Sequence, residues 1–445
     1  MLAKKCPPAA TPCRIAVVGA GRLVGVHHCA AAAGAGAELA CVCQRRADDA
    51  EVAERFGVPV YSDAFEMARQ EELHGIVIAA PTHLHLPLVR RCLAGAIARR
   101  DALGAPSLAL RALLVEKPIC ESLAAAVRLV ELAEEAGVKV LVGHQRRHSI
   151  FVKRARDLAQ DANFGPLRGF SLEFALLKPQ SYFQRDDPRL AWRGQKGKGG
   201  PALINLIHDM DLLRFITGHE VARVFACLSS SARNGEVEDT GAVTVVLDNG
   251  VVGTMFFSDC APSPWSYEFT TQENKKYPPV PGSDAKDCYH FYGAQRSLAF
   301  PSLRRFHYGR EVAEPGWDAP LTLESEAVEM KDPIASQMCH FVRVCRGLVE
   351  PVCSGRDGLR SLAAIEAVHR SAETSAPVCP ADLLKDAVQG ACAIRAEEVE
   401  ALALELNKSA THLKTPSYHP LSACAQESEA TATEAIVYHQ VSLST

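Results

Sequence analysis

A lysine at the end of an apolar run is the first chemical feature of this sequence. In LLVEKPICES (113–122), leucine and valine give way abruptly to Glu116 and Lys117, and Pro118 follows. Apolar runs of this length are typical of buried strands, and parallel sheets bind their ligands at the carboxyl ends of strands. An ammonium group held there can stabilise negative charge that develops on a substrate oxygen. We therefore predict that Lys117 is catalytic.

A histidine in INLIHDMDLLRF (204–215) is the second candidate. Imidazole titrates near neutrality, so His208 can accept a proton in one direction of a reaction and donate it in the other. The segment has the apolar spacing of a helix, in which a lone histidine is more often an ordinary core residue. If His208 and Lys117 face one site, they supply the base and the cation that the oxidation of an alcohol requires.

The elements that would position Lys117 form a regular alternation of apolar, strand-like runs and helix-like segments. SLAAAVRLVELAEEAG (122–137) is such a helix, with Ser122 placed to cap its start and Gly137 to end it. The alternation predicts parallel βαβ units, that is, a doubly wound Rossmann sheet. We interpret residues 96–111 as a surface loop insertion. The strand-like runs are 14–19, 38–43, 75–80, 111–116 and 138–143.

The turn after the first strand, in VVGAGRLVG, favours a dinucleotide. The first glycine permits the tight turn, and the second lets the backbone approach a pyrophosphate at a helix N-terminus. The third position is Val24, and Gly25 comes one residue late. A lone GxG is a weak signal, but its place between a strand and a helix strengthens it. The predicted cofactor contacts in this turn are Gly19, Gly21, Arg22 and Leu23.

The end of the second strand bears on the choice between NAD(H) and NADP(H). NAD enzymes place an acid here for the ribose hydroxyls, whereas this chain has Gln44 followed by Arg45 and Arg46. An arginine attracts a 2′-phosphate that a carboxylate would repel. We predict cofactor contacts from Gln44 and Arg45 and a slight preference for NADP(H) over NAD(H). The alternative is that the arginines merely open a solvated loop.

The chain beyond residue 150 predicts a second, α+β domain with a large, mostly antiparallel open sheet. Segments such as TGAVTVVLDNGVVGTMFFSD and WSYEFTTQ (265–272) are typical of long antiparallel strands, and LDNG (247–250) of a hairpin turn. A sheet with one uncovered face favours a homodimer or homotetramer. The predicted organisation is an extension at 1–13, a Rossmann domain at 14–148, an α+β domain at 149–378 and a tail at 379–445, helical near 396–408 and then poorly ordered.

Composition excludes several classes of protein. The net charge of −4 over 445 residues shows no global basic footprint for nucleic acid. We see no run long and apolar enough for a membrane span, no secretory signal and no Cys/His cluster with metal spacing. Sixteen cysteines without a CxxC pair fit free thiols in a reducing compartment. We expect a cytoplasmic protein with a small-molecule substrate and no metal, nucleic-acid or membrane partner.

Five motifs, in order, resemble the glucose-fructose oxidoreductase / inositol dehydrogenase / rhizopine-catabolism (Gfo/Idh/MocA) oxidoreductase family over about residues 14–375. The resemblance implies a Rossmann domain, a nicotinamide cofactor and hydride transfer at a secondary alcohol or carbonyl of a sugar, cyclitol or polyol. It implies catalytic roles for Lys117 and His208, and for Glu116 a role in positioning the cofactor or the lysine. The motifs are GAGRLVGVH (19–27), AAPTHLHLPLVRRCL (79–93), VEKP (115–118), VLVGHQRRH (140–148) and INLIHDMDLLRF (204–215).

The same resemblance suggests further contacts. Many members carry an aspartate four residues before the histidine, whereas this chain has Ile204 followed by Asn205, which puts an Asp/His dyad in doubt. Asp211 could orient His208 or bind substrate, and a capping or packing role remains an alternative. The segment 194–200 could close over the site or be an exposed linker. Predicted nicotinamide-side residues are Pro81, Thr82 and His85; predicted substrate contacts are Arg147, Trp192, Arg193, Asn205 and Asp211.

Two other functions stay open at the level of sequence. Some relatives oxidise a sugar carbon transiently so that a neighbouring substituent can be eliminated, which cleaves a glycoside without net cofactor turnover. A catalytically silent nucleotide sensor is the third possibility, although the presence of both Lys117 and His208 weighs against it.

Overall fold

The computed structural model describes residues 12–21, 24–44, 54–183, 191–281 and 287–412, with side chains up to residue 397. The described residues up to 395 form one compact unit, and the described residues 396–412, which are helical, belong to a second. Residues 1–11 of the extension predicted at 1–13 and the tail after residue 412, predicted to be poorly ordered, lie outside the described residues, and Cys13 already belongs to the first strand.

The first sheet is parallel throughout and has the strand order β3-β2-β1-β4-β5-β6. This arrangement confirms the Rossmann prediction. The order reverses beside β1, so the crevice for a ligand opens where β1 and β4 end. The strands are β1 (Cys13–Val18), β2 (Ala37–Cys43), β3 (Val60–Tyr61), β4 (Gly75–Ile78), β5 (Ala112–Glu116) and β6 (Lys139–Gly143).

Helices connect these strands and pack on the sheet. In α4 (Leu123–Glu135) the Ser122 hydroxyl accepts a hydrogen bond from the Ala125 amide, which confirms the predicted cap. The expected loop at 96–111 is partly wrong, because α3 continues to Ala102 and only the residues after it form a loop. The helices are α1 (Val24–Gly34), α2 (Ala64–Gln70), α3 (His85–Ala102) and α4 (Leu123–Glu135).

The second sheet has eight strands in the order β14-β13-β12-β11-β7-β10-β9-β8. Neighbouring strands in this sheet are antiparallel, except that β7 and β10 are parallel to each other. The predicted mostly antiparallel sheet is therefore confirmed. The strands are β7 (Leu167–Ala175), β8 (Val221–Ser229), β9 (Thr240–Leu247), β10 (Val252–Ser258), β11 (Tyr289–Gly293), β12 (Ser297–Phe300), β13 (Arg304–Tyr308) and β14 (Leu321–Glu324).

One predicted strand is wrong. WSYEFTTQ forms a short helix, α7 (Tyr267–Thr271), because the Ser266 hydroxyl accepts a hydrogen bond from the Phe269 amide and caps its start. The helix expected near 396–408 is part of a much longer one. The remaining helices are α5 (Ile150–Ala159), α6 (Ile207–Thr217), α8 (Pro333–Cys345), α9 (Gly355–Thr374) and α10 (Pro380–His412), and a π-helical turn (Ala202–Leu206) leads into α6.

The eight-stranded sheet buries one face and exposes the other. The registers place six large apolar side chains on the exposed face, with 39 to 57% of their surface accessible. Helices in the described part of the chain include none with the length and apolar character to cross a membrane. The exposed side chains are Phe225, Val252, Phe256, Tyr292, Leu321 and Leu323.

Candidate active site

The glycine-rich turn after β1 fits closely against the end of β4. Gly19 has φ +89°, and a Cβ there would lie 2.6 Å from the Ala79 carbonyl oxygen. A Cβ on Gly25 would lie 2.2 Å from the Gly19 carbonyl oxygen. Gly25 therefore provides the close helix–strand packing of the third glycine in a dinucleotide fingerprint, one residue later than usual. Gly21 ends the described part of this turn, and Arg22 and Leu23 lie outside the described residues.

Replacing Gly25 with alanine is expected to weaken nicotinamide cofactor binding by at least about tenfold, because the new methyl group would force α1 away from the turn. Fluorescence titration with NADH and NADPH measures this change. Gly34→Ala is the matched control in the same helix, since its Cβ would meet nothing within 4 Å. Equal affinities of the two variants would contradict this role of Gly25.

The end of β2 presents an amide rather than an acid. Gln44 is buried, its backbone amide donates to the Tyr61 carbonyl oxygen at 2.8 Å, and its side-chain Nε2 has no partner. An unpaired buried donor here suits the hydroxyl groups of a nucleotide ribose. Together with the glycine turn, it shows that the residues present fit a nicotinamide dinucleotide. Arg45 lies outside the described residues.

Glu116 is held by the first helix rather than facing solvent. Its Oε1 lies 2.8 Å from His28 Nε2, and a Cβ on Gly143 would lie 2.8 Å from its carboxyl carbon. Burial works against ionisation, but His28 and the charge of Lys117 together hold the pKa of Glu116 below its usual value. Glu116 thus ties α1 to the end of β5, directly before Lys117.

Lys117 reaches from the end of β5 to the turn before α6. Its Nζ donates to the Ile204 carbonyl oxygen at 2.9 Å, and the Lys117–Pro118 peptide bond is cis. Burial lowers the pKa of Lys117 to about 8, although Glu116 opposes this shift. The ammonium group has three N–H donors, so two remain for a ligand.

His208 lies in the first turn of α6, four residues after the carbonyl that Lys117 contacts. It is buried, and its Nδ1 has no hydrogen-bond partner. Burial, followed by the charges of Lys117 and Arg146, lowers the pKa of His208 well below its usual value. The imidazole is therefore neutral at neutral pH and able to accept a proton.

Two consecutive arginines after β6 lock α6 in place. Arg146 donates to Asp209 at 2.8 Å, and Arg147 donates to both oxygens of Asp211 at 2.8 Å. Although burial opposes ionisation, Arg147 holds the pKa of Asp211 well below its usual range. The structure thus pairs the predicted substrate contacts Arg147 and Asp211 with each other, and Asp211 lies on the helix that carries His208.

Asn205 and the segment around residue 192 both lie near a second lysine, Lys178. Lys178 Nζ donates to Asn205 Oδ1, and Lys178 is buried. Arg193 lies over the ring of Tyr182, 4.0 Å from its centroid, and donates to the Tyr182 carbonyl oxygen. Trp192 is adjacent, with the Arg193 guanidinium 5.8 Å from its ring centroid.

The segment after β4 contacts the turn that follows β5. Pro81 precedes a 3₁₀ turn that contains Thr82, and both retain some exposure. His85 is buried, with its ring nitrogens 2.9 Å from the Ala80 carbonyl oxygen and 3.1 Å from that of Ile119. His85 therefore joins the turns after β4 and β5 and does not point a free nitrogen into the crevice.

Sequence reasoning missed two histidines beside the catalytic candidates. His144 follows β6, its ring centroid lies 5.6 Å from that of His208, and its Nδ1 lies 3.6 Å from Asp211. Burial lowers the pKa of His144 to about 4. The position of His144 directly after an apolar run, like that of Glu116, could have indicated a residue of the site. No feature of the sequence indicates the contact of His28 with Glu116.

The assembled groups provide a cation, a neutral base and a close-fitting turn for a nucleotide at one sheet edge. Among the side chains that the structure describes, no three histidines, cysteines or acids are grouped as a metal ion would require. The arrangement suits stabilisation of an oxyanion by Lys117 together with proton transfer by His208.

Comparison with known proteins agrees with this geometry. The model of the oxidoreductase family with an NAD-binding Rossmann fold matches residues 13–144, and that of the GFO/IDH/MocA C-terminal domain matches residues 152–274. The rhizopine catabolism protein MocA of Rhizobium meliloti is 30% identical over 237 residues, 53% of this chain and 67% of the relative.

Two further proteins extend the similarity over more of the chain. Inositol 2-dehydrogenase of Rubrobacter xylanophilus is 27% identical over 334 residues, 70% of this chain and 84% of the relative. The WlbA dehydrogenase of Bordetella pertussis, crystallised with NADH and UDP-GlcNAcA, has the same fold, with a TM-score of 0.62, 23% identity and coverage of 83% and 99% of the two chains. The glycine turn, the lysine at the end of β5 and the two matching family models together lead to one conclusion: the chain is a member of the GFO/IDH/MocA family of NAD-binding oxidoreductases.

Proposed function

We propose that this enzyme transfers hydride between a nicotinamide cofactor and a secondary alcohol or carbonyl of a sugar, cyclitol or polyol-like substrate. The main support for this proposal is that Lys117 contacts the helical segment that bears His208. The cation and the base therefore belong to one site. The relatives named as an inositol dehydrogenase and a rhizopine catabolism protein support a polyhydroxylated substrate.

The mechanism assigns one task to each group. The bound nicotinamide supplies the acceptor for the hydride. Lys117 donates a hydrogen bond to the substrate oxygen and stabilises the charge that grows on it as the C–H bond breaks. His208 takes the hydroxyl proton, and in the reverse direction returns it to the carbonyl oxygen. Glu116 and His85 hold the two turns that flank the crevice.

For the cofactor we propose a slight preference for NADP(H). The support is the amide of Gln44 in the place of an acid, with Arg45 next in sequence. Titrations with NADH and NADPH test it, and NADH bound about tenfold more tightly than NADPH would overturn it.

Net cofactor turnover tests the function as a whole. Incubation with NAD⁺ or NADP⁺ and a panel of sugars, inositols and polyols is expected to accumulate reduced cofactor, which its absorbance measures. Release of product from a glycoside without accumulation of reduced cofactor would instead establish cleavage by transient oxidation. Binding of cofactor with turnover of neither kind would make the protein a nucleotide sensor.

We also propose that the exposed face of the eight-stranded sheet forms a homodimer or homotetramer interface. This face exposes the apolar residues Phe225, Val252 and Phe256, together with Tyr292 on β11 and two leucines on β14. Phe256→Glu is expected to yield monomers, because it places a charge in the centre of that face. Analytical ultracentrifugation measures the mass, and a wild-type monomer would contradict the interface.

A cytoplasmic location completes the proposal. The described cysteines are free thiols, many of them buried, as in Cys41 and Cys92. Burial raises the pKa of Cys41 to about 12, so this thiol is unreactive. Free thiols in such number suit a reducing compartment.

A further inference from the structure

Three cations gather beside the candidate active site. They are Lys178, Arg193 and Arg233, called here the cationic cluster. Lys178 is only 8% exposed. Arg233 packs with its guanidinium 4.6 Å from the centroid of the Phe183 ring. Long cationic side chains are rarely buried together unless an anion balances them.

Among the described residues, Asp259 is the carboxylate that pairs with the cationic cluster. Asp259 is fully buried and lies 3.5 Å from Lys178 Nζ and 3.1 Å from Arg233. Asp239, behind it, accepts from the backbone amides of Ala232 and Arg233. Arg193 contacts the Tyr182 ring and carbonyl oxygen, and no described carboxylate lies within ion-pair distance of it.

The positive charges of Arg193 and Arg233 repel the ammonium group of Lys178. Burial lowers the pKa of Lys178 to about 8; Asp259 opposes the shift, and the charges of Arg233 and Arg193 add to it. Lys178 Nζ and the Arg193 guanidinium also lie against the same ring, 4.7 Å and 4.0 Å from the Tyr182 centroid. An anion placed between Lys178 and Arg193 would relieve this repulsion.

The cluster is joined to the catalytic residues through two consecutive residues. Lys117 donates to the Ile204 carbonyl oxygen, and Lys178 donates to the Asn205 side chain. Resting on the proposed function, we infer that the substrate carries an anionic group, a carboxylate or a phosphate, which binds Lys178 and Arg193 while its reacting hydroxyl faces Lys117. Asn205, which accepts from Lys178 and follows Ile204, can bind a further hydroxyl of the substrate through its side-chain amide.

The test is equilibrium binding to the cofactor-loaded enzyme, measured by calorimetry with D-glucuronate, D-glucose 6-phosphate and D-glucose. At low salt, at least one of the two acids is expected to bind about tenfold or more tightly than D-glucose, and added salt should reduce the difference. The acid that binds more tightly identifies the anionic group. Arg193→Gln is expected to abolish the preference, and Lys178→Met to reduce it.

The matched control is Arg356→Gln, which removes an exposed arginine that pairs with Glu134 on the surface and should keep the preference. The inference is overturned if D-glucose binds as tightly as both acids, if neither acid binds measurably, or if both Arg193→Gln and Lys178→Met leave the preference unchanged. Because binding does not depend on turnover, an acid that binds through Arg193 while no compound of the substrate panel is oxidised would refute the proposed function and leave the anion site standing.

Discussion

Lys117→Met is expected to lower kcat by about 10²- to 10³-fold with the substrate that gives the highest turnover, while cofactor affinity stays near that of the wild type. Methionine keeps the length and apolar stem of lysine but cannot donate a hydrogen bond to an oxyanion. The loss falls on kcat because Lys117 interacts most strongly with the charge present in the transition state. Steady-state kinetics and a cofactor titration of the same preparation measure both quantities.

Lys139→Met is the matched control for this substitution. Lys139 is half-exposed on β6 of the same sheet and pairs with Glu350 at 2.6 Å, a surface contact worth at most about 1 kcal/mol. Its kcat should stay within about twofold of the wild type. A Lys117→Met enzyme that retained wild-type kcat would refute the role of Lys117 in stabilising the oxyanion.

His208→Gln is expected to lower kcat for alcohol oxidation by about 10²- to 10⁴-fold, because glutamine can hydrogen-bond the hydroxyl but cannot take its proton. The pH profile separates this role from packing. His208 must be neutral to act as base, so wild-type oxidation declines only well below pH 6.5, in keeping with the lowered pKa of His208. This decline at low pH, the acid limb of the profile, should be absent in His208→Gln.

The alkaline side of the same profile reports on Lys117. Its cation is lost as the pH rises through about 8, so oxidation by the wild type should decline above that value. Lys117→Arg should move the decline to higher pH, since arginine stays protonated. His219→Gln, a substitution on the surface, is the control that should leave both limbs in place. An acid limb that persisted unchanged in His208→Gln would show that another group is the base.

Much of the fold could be predicted because its signals are local. The apolar runs that became β1, β2, β4, β5 and β6 each carry enough buried surface to read as strands without knowledge of their neighbours. The two-residue strand β3 has no such signal, since two residues cannot show a period. The segment 265–272 alternates as a strand would, but the cap that Ser266 provides favours a helix.

The candidate site was only partly predictable, because side chains distant in sequence determine it. Lys117 and His208 follow from their motifs, but the contact of Lys117 with Ile204 joins residues 87 positions apart. Arg147 and Asp211, separated by 64 positions, each looked like a substrate contact until the fold brought them together. Tertiary pairing of this kind leaves no periodic pattern in one sequence.

Transfer of deuterium from substrate to cofactor tests the central claim most directly. The enzyme is incubated with NADP⁺ and the best substrate of the panel, labelled with deuterium at its secondary carbinol carbons, and the reduced cofactor is analysed by mass spectrometry. Hydride transfer at the site of Lys117 and His208 predicts reduced cofactor that carries one deuterium in the wild type and is strongly diminished in Lys117→Met and His208→Gln. Reduced cofactor without deuterium, or equal amounts of deuterated cofactor formed by all three proteins in the same time, would contradict it.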